Sequence, residues 1–388
     1  MRPRNDIAIY SPFAHTFYED PASSAGRSGS GGAELQATLL ARHMSRRGMR
    51  VAHIVYALES PAPAPREGPV VVERPRRAAS RGSTRLGRGL GKLVDCLHVW
   101  RALVAADARL YLFRTGLSGG STGFVTGAMF CLLRRRRLVF AASNDLDFIF
   151  DRSDRSWLVE ALYRFALRRS RRVVVQTHRQ LALARRVLDP ARVTPIPSFA
   201  EPADPCDAAA DNEGFLWAGR LVDYKLPLRY LELARSVPEA RFRMIVGETG
   251  ETPESLAAQV ISSAAEIPNL ELEPRQDRER VLQLISRCTA VVVTSGAEGM
   301  PNLFLEAWAR GVPILSLHFD PDGRMAEEGI GICASGLWEG FVSSARQLWS
   351  DGTLRRELGE RGRAYVHRMH SPNAVATRWA KVLSEALA

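Results

Sequence analysis

The chain is poor in cysteine and in lysine. Five cysteines are scattered over 388 residues without a CxxC spacing, and only three of the 53 basic residues are lysines. An odd and unclustered set of cysteines argues against a disulfide framework and against a structural zinc site. A reducing compartment fits this pattern, so we expect a cytoplasmic protein.

Long hydrophobic runs are also absent. The longest uncharged stretch, residues 115–133, begins with Thr, Gly and Ser, and only its part from Phe124 onward is continuously apolar or small. A helix that spans a bilayer needs about 20 apolar residues. Residues 1–20 hold charges and prolines where a secretory signal would need an apolar core. We therefore expect neither export nor a membrane-spanning helix.

Basic side chains are abundant, and their excess over acidic ones is confined to one half. Residues 1–200 carry 33 basic and 15 acidic side chains, whereas residues 201–388 carry 20 and 27. A concentrated positive field attracts phosphate-rich partners: nucleic acid, an anionic membrane or a pyrophosphate-bearing substrate. No RNP, KH or zinc-finger signature accompanies the basic half, which disfavours nucleic acid.

Short apolar runs alternate with helical periodicity in the first half. Residues 6–10 and 51–56 read as strands that flank a helix at 33–47, which is a parallel unit. Its first loop would lie at the carboxyl edge of the sheet, where ligands bind in open α/β folds. Further strands are predicted at 108–113, 138–142 and 173–176, a helix at 156–167, and a mobile basic loop at 61–92.

The second half repeats this alternation after a Pro-rich, acidic stretch at 195–212. We predict an α/β fold of two doubly wound, parallel-sheet domains that face a cleft. The predicted domains are residues 1–195 and 196–370, with a last helix, 371–388, that returns to the first domain. Five tryptophans in helical patterns, at 157, 308, 338, 349 and 379, are predicted to lie in the core.

The most specific motif is SGAEGMPNLFLEAWARGVP at residues 295–313. It places Glu298 in a loop after a strand, Pro301 at the first turn of a helix and Glu306 inside that helix. A helix start favours a bound phosphate. We therefore predict ligand contacts at the residues around this start: Gly299, Met300, Pro301, Asn302 and Leu303.

A second cluster follows the first strand of the second half. Arg220 and Lys225, after Gly219, could both reach one diphosphate and match the charge that develops on a leaving phosphate.

With these motifs the chain resembles the retaining glycosyltransferases of family 4 (group 1), which have the GT-B fold. The resemblance is carried by 31–34 (GGAE), 173–177 (VVVQT), Gly219 and Arg220 with Lys225, and Glu298 with Glu306. It implies that Arg220 and Lys225 hold the nucleotide diphosphate, that Glu298 contacts the transferred sugar and that Glu306 binds the ribose. It also implies that Gly31 and Gly32 approach the phosphates from the other domain.

The chain departs from the family at one place. Many relatives carry a histidine near the sugar, whereas this chain reads FAASNDLD at 140–147, so Asn144 or Asp145 is predicted to take that role. The strings at 145–147 and 320–322 imitate a DxD metal motif, but the resemblance implies an enzyme that needs no metal. The eight histidines show no HxxxH or HExxH spacing. We expect no metal and no resident cofactor.

The resemblance implies transfer of a sugar from a UDP- or GDP-linked donor to an acceptor hydroxyl with retention. The expected acceptor is a lipid-linked saccharide in bacterial cell-surface polysaccharide assembly, presented at the inner face of the membrane. The basic segments 74–92, 134–137 and 168–172 would dock there as peripheral contacts. Three alternatives stay open: a small soluble acceptor such as a secondary metabolite, a nucleotide-sugar epimerase of the same fold, and a non-enzymatic nucleic-acid-binding protein.

Overall fold

The computed structural model describes most of the chain in two compact units. The described residues are 4–19, 31–62, 68–75, 85–114, 121–150, 156–204, 213–247, 252–296 and 298–388, except for the side chains of 85–90. Unit 1 comprises the described chain up to Phe199 together with Val375–Ala388, and unit 2 comprises Ala200–Ala374. The Gly/Ser-rich loop up to residue 30 and Arg76, Arg77 and Arg81 lie outside the described residues.

Each unit has one parallel sheet. In unit 1 the strand order is β3-β2-β1-β4-β5-β6-β7, and in unit 2 it is β10-β9-β8-β11-β12-β13. The strands are β1 (Asn5–Tyr10), β2 (Val51–Tyr56), β3 (Val70–Arg74), β4 (Ala108–Phe113), β5 (Arg137–Ala141), β6 (Arg172–Val175), β7 (Val193–Pro195), β8 (Phe215–Arg220), β9 (Phe242–Gly247), β10 (Leu270–Pro274), β11 (Ala290–Val293), β12 (Ile314–Ser316) and β13 (Gly331–Cys333).

Helices connect most of these strands, as is usual for parallel crossovers. They are α1 (Gly32–Arg46), α2 (Arg85–Ala106), α3 (Ser121–Leu133), α4 (Trp157–Arg169), α5 (His178–Arg185), α6 (Pro227–Ser236), α7 (Glu254–Ala265), α8 (Arg278–Arg287), α9 (Asn302–Arg310), α10 (Arg324–Glu328), α11 (Trp338–Ser350), α12 (Gly352–Met369) and α13 (Pro372–Leu387). Short 3₁₀ helices include Asp145–Phe148 and Asp223–Lys225. The prediction of two doubly wound parallel sheets is confirmed.

Both faces of the unit 1 sheet are covered. One face packs against α2, α3 and α4, with Val99, Phe124 and Tyr163 in the core. The other packs against α1 and α13, where Trp379 belongs to the same core cluster as Ile7 and Ile9 of β1. The chain's last helix therefore completes the core of the first unit.

Two glycines let α3 lie close to the sheet. A Cβ at Gly123 would come 2.8 Å from the Tyr10 ring, and one at Gly127 would come 2.0 Å from the Phe113 ring. Larger residues would force the helix away from the strands, so this helix needs residues that have low helix propensity.

Three predictions about unit 1 are wrong. The segment 61–92 is not all loop, because it contains β3 and the start of α2. Arg74 is not a surface cation: it is buried, and its guanidinium donates to the Tyr10 hydroxyl and to the Asp95 carboxylate. Trp157 is not in the core, because it begins α4 with its side chain turned outward, 79% exposed.

Candidate functional site

The strand order of unit 2 reverses next to its first strand. β8 has β9 on one side and β11 on the other. In open α/β sheets the crevice for ligands lies outside the carboxyl ends of two such strands, because their crossovers diverge there. The last residue of β8 and the segments that follow β8 and β11 hold the residues predicted from the sequence as catalytic.

Hydrogen bonds tie these two segments together. The Trp217 indole N–H donates to the Thr294 hydroxyl (3.1 Å), and that hydroxyl donates to the Lys225 carbonyl (2.7 Å). The Gly296 N–H donates to the Tyr224 carbonyl (3.0 Å). The backbone at Lys225 is therefore fixed against the end of β11.

Lys225 and Glu298 form the centre of the site. The Lys225 ammonium donates to the Glu298 carboxylate, and the two side chains are 22% and 13% exposed. Tyr224 links them to Arg220: its hydroxyl accepts a hydrogen bond from the Arg220 guanidinium (2.8 Å), and its ring centroid lies 5.9 Å from Lys225 Nζ. The structure therefore brings the three predicted catalytic residues together.

A helix start follows Glu298 directly. Gly299 and Met300 form the turn, Pro301 precedes the helix, and α9 begins at Asn302. N–H groups in the first turn of a helix have no acceptor within the helix and favour an anion. Two cationic side chains and a helix start thus lie in adjoining segments, a combination suited to a diphosphate.

Glu306 belongs to a separate group of charges. Its carboxylate accepts two hydrogen bonds from Arg278 (2.8 and 3.1 Å), and Arg278 also pairs with Glu201 (2.9 Å). Burial raises the pKa of Glu306 above its ordinary value, and the Arg278 guanidinium opposes that increase. The side chain is held in one orientation on the second turn of α9.

The glycines predicted to approach the phosphates begin α1 in unit 1. Gly31 precedes the helix and Gly32 is its first residue. A Cβ at Gly31 would come 2.9 Å from the Glu34 carboxylate. Unit 1 has its own strand reversal at β1, between β2 and β4, and α1 is the helix that follows β1.

The two predicted sugar contacts have partners within unit 1. The Asn144 side-chain oxygen caps the 3₁₀ helix Asp145–Phe148 by accepting from the Leu146 N–H (3.0 Å). Asp145 pairs with Arg179 (2.9 Å). Asp147, the second acid of the DxD-like string, accepts from the Asn144 N–H (3.1 Å).

No metal-binding group of three or more His, Cys, Asp or Glu side chains is found among the described residues. In the second DxD-like string, Asp320 instead accepts from the N–H groups of Met325 (2.8 Å) and Ala326 (3.2 Å) at the start of α10. Within the described ranges, no helix has the length and apolar character to cross a membrane.

Sequence reasoning missed four residues around these sites. Tyr224 and Thr294 organise the loop after β8, and Arg278 orients Glu306. The fourth is Arg114, which is buried at the end of β4. Burial lowers the pKa of Arg114 to about 10, and Glu34 and Asp147 act in the opposite direction. Each of the four lies near the end of a strand or the start of a helix, which is the signal that could have identified them.

Parts of the chain are similar to known proteins. Residues 207–365 match the family model of glycosyl transferases group 1. A lipopolysaccharide core biosynthesis glycosyltransferase, LpsE of Rhizobium meliloti (strain 1021), is 30% identical over 95 residues. That match spans 24% of this chain and 28% of the relative.

Solved structures match over nearly the whole chain. Sucrose-phosphate synthase from Thermosynechococcus elongatus has a TM-score of 0.76 at 16% identity and covers 98% of this chain and 99% of its own. Anabaena Alr3699/HepE in complex with UDP-glucose has a TM-score of 0.72 at 14% identity, covering 98% of this chain and 100% of its own. At such identities the likeness establishes the fold.

Proposed function

The chain has the GT-B fold and carries a glycosyl transferases group 1 domain at residues 207–365, and we propose that it transfers a sugar from a nucleoside diphosphate sugar to an acceptor hydroxyl with retention. The observation that carries this proposal is the group formed by Arg220, Lys225 and Glu298 at the strand reversal of unit 2. The predicted fold and the group 1 resemblance are confirmed. Retention and the family 4 assignment stay predictions.

The donor side of the proposal rests on charge. Arg220 and Lys225 provide cations for a diphosphate, and the start of α9 provides N–H groups beside them. Lys225 exchanges its contact with Glu298 for a phosphate when the donor binds, which frees the Glu298 carboxylate to accept hydrogen bonds from sugar hydroxyls. Glu306, held by Arg278, accepts from the ribose hydroxyls.

We take UDP as the first nucleotide to test, because HepE was solved with UDP-glucose. GDP-linked donors remain the second choice.

The same cations would also catalyse the proposed reaction. The bond between the anomeric carbon and the diphosphate oxygen breaks, a bond to the acceptor oxygen forms, and the leaving phosphate takes the acceptor's proton. Negative charge grows on the leaving diphosphate while the sugar becomes oxocarbenium-like. Fixed cations and N–H dipoles stabilise that charge more in the transition state than in the bound donor, which is the condition for catalysis.

The proposed acceptor is a lipid-linked saccharide at the inner face of the cell membrane, in assembly of a cell-surface polysaccharide. The support is the basic excess in the first half of the chain and the partial match to a lipopolysaccharide core glycosyltransferase. A small soluble acceptor is the competing choice.

Nucleotide release tests the proposal. The full chain is incubated with UDP- and GDP-sugars and a panel of lipid-linked and soluble saccharides, and released nucleotide is measured. Arg220→Ala, Lys225→Ala and Glu298→Gln should each lower turnover by about two to four orders of magnitude. Arg235→Ala, which removes an exposed arginine paired with Glu266 on the same unit, should leave turnover unchanged.

Full activity in the Arg220→Ala/Lys225→Ala double variant would refute this assignment. Product analysis by NMR separates the remaining alternatives. Turnover of the donor without an acceptor indicates an epimerase, and inversion at the anomeric carbon contradicts retention. Salt-sensitive DNA binding without nucleotide binding indicates the non-enzymatic alternative.

A further inference from the structure

The outer surface of one helical layer in unit 1 is apolar where a surface helix is normally polar. Helix α3 has no charged residue along Ser121–Leu133, although only its inner side packs on the sheet. Its outward side chains include Met129, Leu132 and Leu133, the last 65% exposed. An apolar outer stripe leaves apolar area exposed to water, which is unfavourable unless another surface covers it.

The neighbouring helices continue this surface. α3 packs against α2 on one side and α4 on the other. On α2 the exposed apolar residues Leu93, Leu97 and Val104 repeat at helical spacing, and on α4 Trp157, Leu158 and Leu162 do so. We call the outer side chains of these three helices the apolar face.

The apolar face stands out from the rest of the surface. Among the described residues, ten of the fifteen large apolar side chains that are exposed lie on α2, α3 and α4. Single exposed apolar residues are normal, but a concentration of this kind marks a contact surface.

Exposed arginines border the apolar face in the part of the chain that the structure describes, and the nearby acids Asp107 and Asp189 lie close to Arg136 and Arg192. Arg101 lies between Leu97 and Val104 on α2, Arg134 and Arg135 follow α3, and Arg168 and Arg169 end α4, all exposed. The described acids of these helices are already paired: Asp95 with the buried Arg74, and Glu160 with Arg164 (3.2 Å). What remains at the surface is apolar side chains bordered by cations.

We infer that the apolar face docks on an anionic lipid surface. Leucine, methionine and tryptophan side chains enter the region between the head groups and the acyl chains, while the arginines at the helix ends contact lipid phosphates. An exposed tryptophan at this border is typical of a membrane interface.

Self-association fits the same face poorly. A symmetric dimer would place the apolar face of one copy against the apolar face of the other. Both copies would bring the same excess of arginines to the interface, and the described acids of the three helices already have partners. A leaflet that contains anionic lipid supplies the missing negative charge.

The inference rests on the proposed function and adds a membrane-docking surface to it. Its test requires no glycosyl transfer. Arg134 and Arg135 keep the docking role predicted from the sequence. Arg74 loses it, because its guanidinium is buried in the contact with Tyr10 and Asp95. Lipid docking needs no sugar donor, so failure of docking and failure of glycosyl transfer are separate results.

Cosedimentation of the full chain with vesicles tests the inference. The probes are phosphatidylcholine vesicles with and without phosphatidylglycerol, at low and physiological salt. We expect binding only to anionic vesicles, weakened by salt. The variant Leu93→Ser/Leu133→Ser/Trp157→Ser should bind at least about tenfold more weakly, because less apolar surface is buried. Arg134→Gln/Arg135→Gln should bind about thirtyfold more weakly at low salt.

Matched controls lie on unit 2. Ile261→Ser/Leu337→Ser changes exposed apolar residues, and Arg356→Gln/Arg361→Gln changes exposed arginines. Both should bind like wild type, and circular dichroism should show equal folding in every variant. Equal binding to neutral vesicles, unchanged binding by the serine variant, or no binding by wild type would each overturn the inference. A wild-type dimer that the serine variant converts to monomer would assign the face to a second copy.

Discussion

The two units share one sheet plan and use their surfaces differently. In each unit the chain order reverses beside the first strand, at β1 in unit 1 and at β8 in unit 2. In unit 2 the carboxyl edge holds the charged group of Arg220, Lys225 and Glu298. In unit 1 the exposed apolar and cationic side chains lie instead on the helical layer.

This difference shows that the basic excess of the first half is not a single feature. Some of its arginines are structural: Arg74 and Arg114 are both buried. Others, such as Arg134 and Arg135, follow a helix that leads from the carboxyl end of β4 back to the start of β5, so they lie at the amino edge of the sheet. Charge counted along the sequence therefore overstates the charge available to any one partner.

The largest expected effect concerns two tryptophans of unit 1. Trp379 of α13 is 2% exposed and belongs to the core cluster that contains Ile7 and Ile9 of β1, whereas Trp157 of α4 projects outward. Trp379→Ala should lower the free energy of unfolding by about 3–5 kcal/mol, because a large side chain leaves a cavity. Trp157→Ala should change it by less than about 0.5 kcal/mol. Denaturant-induced unfolding, followed by circular dichroism, measures both.

Equal losses in the two variants would contradict the assignment of Trp157 to the surface and of α13 to the core of unit 1. A small loss in Trp379→Ala alone would indicate that unit 1 folds without α13.

Strands were the most predictable part of the fold, and the reasons are local. Continuous apolar runs such as Leu110–Phe113 in β4 are typical of parallel strands buried on both faces. Helix α3 was missed because its sequence, STGFVTGAMFCLL, has no polar stripe and contains glycines that close packing on Tyr10 and Phe113 requires. β3 was missed because it adjoins a Pro- and Arg-rich segment, and its last residue is an arginine that the fold buries.

Part of the candidate site was also predictable from the sequence. Residues that follow adjacent strands meet at one edge, so the approach of Lys225 to Glu298 follows from the motif positions. The contact of Arg278 with Glu306 depends on how the start of α8 packs near α9, and no sequence pattern specifies that packing. Asn144 shows a further limit: its position after β5 was predicted, but its role as a helix cap appears only in the structure.

The next prediction compares donor binding by variants of the two units, and its expected effect is smaller. Arg220→Ala and Lys225→Ala should each weaken UDP binding by about tenfold to a hundredfold, because each removes a charge-assisted contact to phosphate. Asn144→Ala should leave UDP binding unchanged and weaken the binding of UDP-sugar, since its predicted contact is with the sugar. Isothermal titration with UDP and UDP-glucose measures the difference.

Asn144→Asp is the control for that measurement, because it keeps a side-chain oxygen to cap the 3₁₀ helix. If Asn144→Ala weakens UDP and UDP-glucose equally, its effect is structural and the sugar contact is refuted. If the unit 2 variants bind UDP normally, the diphosphate site lies elsewhere.

The smallest effect is a pH dependence at Glu306. Burial raises its pKa above the 4.5 of an unperturbed carboxyl group, so the folded state holds the proton more tightly than the unfolded state does. Stability from this group is therefore fully present below pH 4.5 and is lost as the pH rises through the raised pKa. Glu306→Gln should lack this component, and the difference in unfolding free energy from wild type should change across that window and level off above it.

Arg278→Ala sharpens this last test, because the Arg278 guanidinium opposes the effect of burial. Its removal should raise the pKa of Glu306 further and extend the window to higher pH. Urea unfolding of wild type, Glu306→Gln and Arg278→Ala at closely spaced pH values measures the three curves. Parallel curves for wild type and Glu306→Gln would show that Glu306 does not titrate in this window. A wild-type stability that rises relative to Glu306→Gln as the pH increases would mean that Arg278 outweighs burial, and that the carboxylate offered to the ribose is stabilised by the fold.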